Sequence, residues 1–105
     1  MLTVPEVLAK HLRSKFPNLT FKLTGFRGVA TSPIIFVVYG EDRDIVHIHF
    51  ADTKLHVYSI CGTFQTDLHK EIDLNSPQSI EIIERIIKDS VLTLEILYKK
   101  LTDES

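Results

Sequence analysis

A short turn between two apolar segments limits the possible folds of this chain more than any other feature. Residues 45–50 and 55–61 are rich in β-branched and aromatic side chains, which is typical of strands, and the segment between them reads Ala-Asp-Thr-Lys. A two-residue turn at its Asp-Thr centre would pair Phe50 with Leu55. The sequence therefore predicts an antiparallel hairpin whose register is set by this turn.

This register divides the side chains of the hairpin between two faces of a sheet. One face is almost wholly apolar and is predicted to lie beneath helices. Together with the preceding strand over 34–39, the second face is predicted to carry Ile34, Phe36, Val38, Ile45, His47, His49, His56, Tyr58 and Ile60. Large apolar patches usually mark an interface or a ligand site. We therefore expect another part of the chain, or a second chain, to cover this face.

The rest of the chain supplies two helices and further strands. The remaining predicted elements are a helix over 3–16, a strand over 19–24, a fifth strand within 63–74 and a long helix from 75 or 76 to about 101. Thr3 and Glu6 form a capping box for the first helix, and Pro17 ends it. The predicted fold is α+β, in the order α-β-β-β-β-(β)-α, with both helices on one face of an antiparallel sheet. A chain of 105 residues is predicted to form one domain, 1–105.

The C-terminal helix is predicted to be longer than the sheet beneath it. Its length is roughly 40 Å, whereas a six-residue strand spans about 20 Å. Apolar side chains follow a three-and-four spacing along it, with one serine in the series: Ile80, Ile83, Ile87, Ser90, Leu94, Leu97 and Leu101. Such a seam is typical of paired helices. It predicts a homodimer that involves Leu94, Leu97 and Leu101; a monomer in which the sheet and the first helix cover this helix is the alternative.

Three histidines on the second face are the best candidates for chemistry. His47 and His49 lie on the same side of one strand, and His56 is predicted to lie opposite His49. Three imidazoles with an open fourth position are a known arrangement for zinc. The alternative is a polar cross-strand cluster at an interface. Cys61 is interpreted as a small core residue, and no P-loop, dinucleotide fingerprint or nucleophile elbow is present, so an enzyme is the less favoured prediction.

The charges of the chain are distributed unevenly around a net value of −2. A possible basic face near the N-terminus comprises Lys10, Arg13, Lys15 and Arg27. The segment 25–28 resembles the GxxG loop of KH domains, but it follows a strand instead of joining two helices. The order of elements resembles the core of double-stranded-RNA-binding domains, but residues 76–81 lack that family's basic character. Any nucleic-acid binding is therefore predicted to be weak.

The sequence favours a cytoplasmic protein without a membrane anchor. It contains a single cysteine, no long apolar run and no signal-peptide pattern at residues 1–12. The predicted function is a non-enzymatic protein-interaction module, such as an adaptor, an inhibitor or an immunity-type protein, that acts as a homodimer. A metal-binding protein or small metal-dependent enzyme that uses the three histidines is one alternative, and a weak nucleic-acid-binding domain is another.

Overall fold

The computed structural model describes residues 3–24, 33–59 and 69–103. Their elements are α1 (Val4–Lys15), β1 (Leu19–Thr24), β2 (Ile34–Tyr39), β3 (Arg43–Ala51), β4 (Lys54–Ser59), β5 (His69–Asp73) and α2 (Ser79–Asp103). The strands form one antiparallel sheet in the order β1-β2-β3-β4-β5. The predicted α+β fold, including its fifth strand, is confirmed. Arg27, Ile60, Cys61 and the segment 25–28 lie outside the described residues.

The register of the β3–β4 hairpin is the one that its turn predicts. Phe50 pairs with Leu55, and His49 pairs with His56. Asp52 occupies the turn with a φ of 55°. Two-residue hairpin turns need a positive φ at their first central residue, and aspartate tolerates that conformation better than most residues. The turn therefore fixes which side chains of both strands share a face.

A β-bulge on β3 changes the position of one predicted surface residue. Val37 pairs with Val46, but the next residue, Val38, pairs with Asp44, so Ile45 is an extra residue on β3. The bulge places Ile45 and Val46 together in the core, where both are fully buried. The prediction that Ile45 lies on the second face is therefore wrong. Simple alternation along the strand cannot account for an inserted residue.

Both helices pack on the same face of the sheet, as predicted. α1 lies mainly on β1 and also contacts β2, whereas α2 lies on β3 and β4. Between the helices and the sheet is a cluster of buried apolar side chains that includes Leu12, Ile35, Ile48 and Ile87. On the surface, the ring of His11 lies 2.9 Å from the carboxylate of Glu84 and joins the two helices.

The second helix begins later than its sequence suggests. Residues 74–78 form turns, and α2 starts at Ser79 instead of at a cap on residue 75 or 76. The Asp73 carboxylate accepts a hydrogen bond from the Asn75 amide at 2.9 Å, and the Ser76 hydroxyl lies 3.4 Å from the Gln78 amide. These side-chain contacts stabilise the turns that a helix would otherwise replace, because short polar side chains compete with helical hydrogen bonds.

Candidate functional site

The face of the sheet opposite the helices carries a group of rings that we call the histidine face. Its members are Phe36 on β2, His47 and His49 on β3, His56 and Tyr58 on β4, and His69 on β5. The strand register brings them together, since Phe36 pairs with His47, His47 pairs with Tyr58, and Tyr58 pairs with His69. Four of the five histidines in the chain lie here. Such a concentration makes this face the candidate site.

The six rings form an unbroken series of contacts across four strands. Phe36 and His47 meet edge to face with ring centres 4.4 Å apart, and the centres of His47 and His49 are 6.3 Å apart. His49 meets the edge of Tyr58 at 5.0 Å, and Tyr58 stacks on His69 at 4.6 Å. Cross-strand ring pairs of this kind stabilise a sheet. The contacts also hold the imidazoles in defined orientations.

His56 and His69 share a hydrogen bond between their rings. Nδ1 of His56 lies 2.9 Å from Nε2 of His69. The ring planes are within 10° of parallel and the ring centres are 5.1 Å apart. Because the two nitrogens are so much closer than the centres, the rings meet edge to edge and the facing nitrogens point at each other. A neutral imidazole can donate at one nitrogen and accept at the other, so this pair is satisfied when one ring donates.

His47 lies at the opposite end of the series and has a different environment. Its Nε2 atom is buried and has no hydrogen-bond partner among the described residues, and a carboxylate oxygen, Oδ2 of Asp44, is 3.5 Å away. That separation is too long for a good hydrogen bond but short enough for attraction if the ring is charged. Asp44 occupies this position because it pairs with Val38 beyond the bulge. The bulge therefore sets the distance between His47 and its carboxylate.

Three side chains on or beside the histidine face have pKa values shifted by their surroundings. Burial, and then the charges of His47 and His56, lower the pKa of His49 below its usual value. The ammonium of Lys54 lies 2.6 Å from the Glu71 carboxylate. This hydrogen bond and charge lower the pKa of Glu71, and the same contact raises the pKa of Lys54. Neutral imidazole at His49 is thus favoured in the folded protein.

The predicted three-histidine metal site is not assembled by the described part of the chain. Within residues 3–24, 33–59 and 69–103, no three histidine, cysteine, aspartate or glutamate side chains are grouped so that they could hold a metal ion. His49 and His56 are paired in register, as predicted. Their rings nevertheless contact different neighbours, because His56 bonds to His69 and His49 packs on Tyr58.

Other residues predicted for the second face differ in their exposure. Ile34 and Phe36 are half-buried, Tyr58 is 38% exposed, and Val38 is buried at 2%. The sequence analysis missed His69. The sequence pattern that could have indicated this residue is the alternation of Leu68, Lys70, Ile72 and Leu74. It implies that residues 69, 71 and 73 lie on the opposite face of the strand. Only the register between β4 and β5 shows that His69 lies beside His56 and Tyr58.

The C-terminal part of α2 forms a second exposed feature. Leu94, which the sequence predicts to lie in an interface, is only 6% exposed and packs in the core, and its remaining surface lines the groove beside α2. Leu97 is half-buried, whereas Tyr98 and Leu101 are 66% and 63% exposed. At helical spacing these last three residues continue the stripe that Leu94 belongs to. We call Leu97, Tyr98 and Leu101 the distal stripe.

An open groove separates the distal end of α2 from the β2–β3 turn. Its volume is about 510 Å³, and its lining includes Tyr39 and Arg43 on one side and Leu94, Tyr98 and Lys99 on the other. Charged side chains of both signs line it, since Glu41, Asp42 and Glu95 are present as well as Arg43 and Lys99. The exposed apolar side chains of the distal stripe lie next to the charged side chains of this groove, and protein interfaces commonly combine both kinds of side chain.

One residue of the predicted basic face, Arg13, has a structural role. Arg13 donates a hydrogen bond of 2.8 Å to the carbonyl oxygen of Phe21. Lys10 and Lys15 are exposed. Arg27 lies outside the described residues.

Comparisons with known protein families, with curated protein sequences and with solved structures found no match to this chain. Neither of the two described helices is both long enough and apolar enough to cross a membrane.

Proposed function

We propose that this protein is a non-enzymatic protein-interaction module that acts as a homodimer, with the distal stripe of α2 as the contact between copies. One observation carries the proposal. The stripe of α2 that packs into the core at Ile87 and Leu94 continues towards the end of the helix, where Tyr98 and Leu101 are about two-thirds exposed. Burying such side chains stabilises an association by roughly 1.5–3 kcal/mol each.

A second copy of the chain is the occupant that best fits this surface. The distal stripe belongs to a single helix, and the adjacent groove is open and is partly lined by the same helix. In a two-fold dimer each copy offers the same helix and the same groove, so the distal helix of one copy can occupy the groove of the other. Both signs of charge line the groove, with Glu95 near Lys99, so that two identical surfaces need not repel each other.

Sedimentation velocity of the purified chain at micromolar concentration tests the proposal. We expect a species of twice the 12.0 kDa chain mass. Leu101→Asp should convert it to the monomer, because a carboxylate would be buried in the contact. Ile96→Asp is the matched control: Ile96 is 53% exposed on the opposite face of the same helix and should leave the dimer intact.

Circular dichroism of both variants shows whether the helix survives each substitution. A monomeric wild-type protein would overturn the proposal. So would a dimer that Ile96→Asp disrupts and Leu101→Asp does not, since the contact would then lie on the other face of α2.

A further inference from the structure

The geometry of the histidine face points to a second kind of site: we propose that His56 and His69 together bind one divalent transition-metal ion of the class that prefers imidazole, with Zn²⁺ as the test ion. The ligand atoms are Nδ1 of His56 and Nε2 of His69. This site is different from the three-histidine arrangement that the sequence predicts, because His47 and His49 take no part in it. It is also independent of whether the protein is a dimer.

The separation of the two nitrogens is the first argument. They lie 2.9 Å apart. Zn–N bonds are about 2.0–2.1 Å long, so two nitrogens at a tetrahedral ion lie roughly 3.3 Å apart. The pair therefore has to open by only a few tenths of an ångström. Two strands already position both ligands, so little conformational freedom is lost on binding.

The direction of the lone pairs defines the movement that binding requires. At present the facing nitrogens point at each other, and a bound ion would lie to one side of the line between them. Each ring must turn by roughly 35° to aim its lone pair at a tetrahedral ion. His69 is exposed and His56 is half-buried, so both rings lie at the surface where such a rotation is possible. Tyr58 stacks on a face of His69, whereas the lone pair that binds the ion lies in the plane of the ring.

The ion can bind the two neutral imidazole rings without any net release of a proton. In the neutral pair one facing nitrogen carries a hydrogen and the other accepts it. Binding requires both facing nitrogens to be bare, and the donor ring achieves this by moving its hydrogen to its other nitrogen through solvent. A protonated ring cannot bind, so acid competes with the ion.

A carboxylate lies beside this position, and the ammonium of Lys54, 2.6 Å from it, offsets part of its charge. Glu71 lies directly opposite His56 in register, and its carboxylate interacts electrostatically with both His56 and His69. Water would complete the coordination of the ion, because no third metal-binding side chain is grouped with the pair among the described residues. A site with two protein ligands is expected to bind more weakly than a structural zinc site with four.

Calorimetric titration of Zn²⁺ into the chain at neutral pH, on a Cys61→Ser background that removes the thiol, tests the site. We expect about one equivalent to bind. Loss of a side chain that only orients a metal ligand costs about 10–100-fold in affinity, so His56→Gln or His69→Gln should weaken binding at least tenfold. His47→Gln and His11→Gln are matched controls and should bind as the parent does.

Nitrogen chemical shifts of the imidazoles give a second, independent measurement. Zn²⁺ should shift Nδ1 of His56 and Nε2 of His69 and leave the nitrogens of His11 unaffected. Circular dichroism confirms that the glutamine variants are folded. No binding at millimolar Zn²⁺ would overturn the proposal, and so would parental affinity in folded His56→Gln and His69→Gln or loss of binding in His47→Gln. None of these results alters the expected dimer, whose test uses variants of α2.

Discussion

The guanidinium of Arg13 lies 2.8 Å from the carbonyl oxygen of Phe21, and this hydrogen bond joins the last turn of α1 to the centre of β1. A residue that sequence analysis assigns to a binding surface thus supports the packing of a helix on the sheet. The carbonyl is part-buried, so water can replace the guanidinium only incompletely.

We therefore expect Arg13→Ala to lower the free energy of unfolding by about 1 kcal/mol. Lys10→Ala removes a charge of the same sign from the same helix. This variant should change the free energy of unfolding by less than about 0.5 kcal/mol. Urea denaturation of both variants measures the difference. Equal effects would mean that positive charge on α1, and not the hydrogen bond, determines the change.

The β3–β4 turn makes a second prediction about stability. Asp52 has a φ of 55°, which β-branched side chains adopt only with strain. Asp52→Val should lower the free energy of unfolding by roughly 1–2 kcal/mol, whereas Asp52→Gly should lower it little or raise it. Thr53→Val, at the neighbouring turn position, is the control, and thermal denaturation provides the measurement. If the Asp52→Val variant were as stable as the wild type, the turn would have to relax to another conformation.

The bulge on β3 predicts an asymmetry between two isoleucines. Ile45 is completely buried in the core, whereas Ile34 is half-buried on the opposite face of the sheet. Removing the buried side chain leaves a cavity, so Ile45→Ala should cost about 2–5 kcal/mol of stability. Ile34→Ala should cost clearly less. Chemical denaturation of the two variants distinguishes the bulge from a regular strand. In a regular strand, Ile45→Ala would lower the free energy of unfolding by less than Ile34→Ala.

Titration of His49 should reveal the environment of the histidine face. Burial lowers its pKa first, and the charges of His47 and His56 lower it further, while its ring also packs on Tyr58 and its backbone pairs with Ile34. Below the usual histidine value of about 6.5, the unfolded chain therefore binds a proton at this residue more readily than the folded chain. Above that pH, protonation of His49 does not affect the free energy of unfolding. As the pH falls below it, protonation of His49 in the unfolded chain lowers the free energy of unfolding.

Nuclear magnetic resonance of the His49 ring measures this directly. We expect its titration midpoint in the folded protein to lie below the midpoint in urea. The pH dependence of stability below about 6.5 should become shallower in His49→Gln. A folded midpoint at or above the unfolded one would contradict the burial of this ring.

The hairpin register was predictable because one short turn determines it. Once Asp52 and Thr53 occupy the turn, the pairing of His49 with His56 follows from the two-residue period of a strand. The contact between His56 and His69 was not predictable in the same way. It depends on the register of β4 with β5, and residues 60–68 between those strands are too many for a two-residue turn to fix that register from the sequence.

The position of Ile45 shows a different limit of sequence patterns. The run of alternating side chains from 45 to 50 fits a regular strand, and nothing in that run indicates that the pairing shifts between Val37 and Val38. The bulge becomes favourable because it buries both Ile45 and Val46 in the core. That gain depends on tertiary packing, which a single strand does not encode.

The order of strands in the sheet also bears on aggregation. β1 and β5 form its two edges, where unpaired backbone groups could recruit a strand from another molecule. Each edge strand carries an exposed lysine, Lys22 on β1 and Lys70 on β5, and β5 also carries exposed acidic residues. Charged side chains on an edge oppose the addition of another strand, because they would have to be desolvated in the new pairing. Growth of the sheet into fibrils through these two edges is therefore disfavoured.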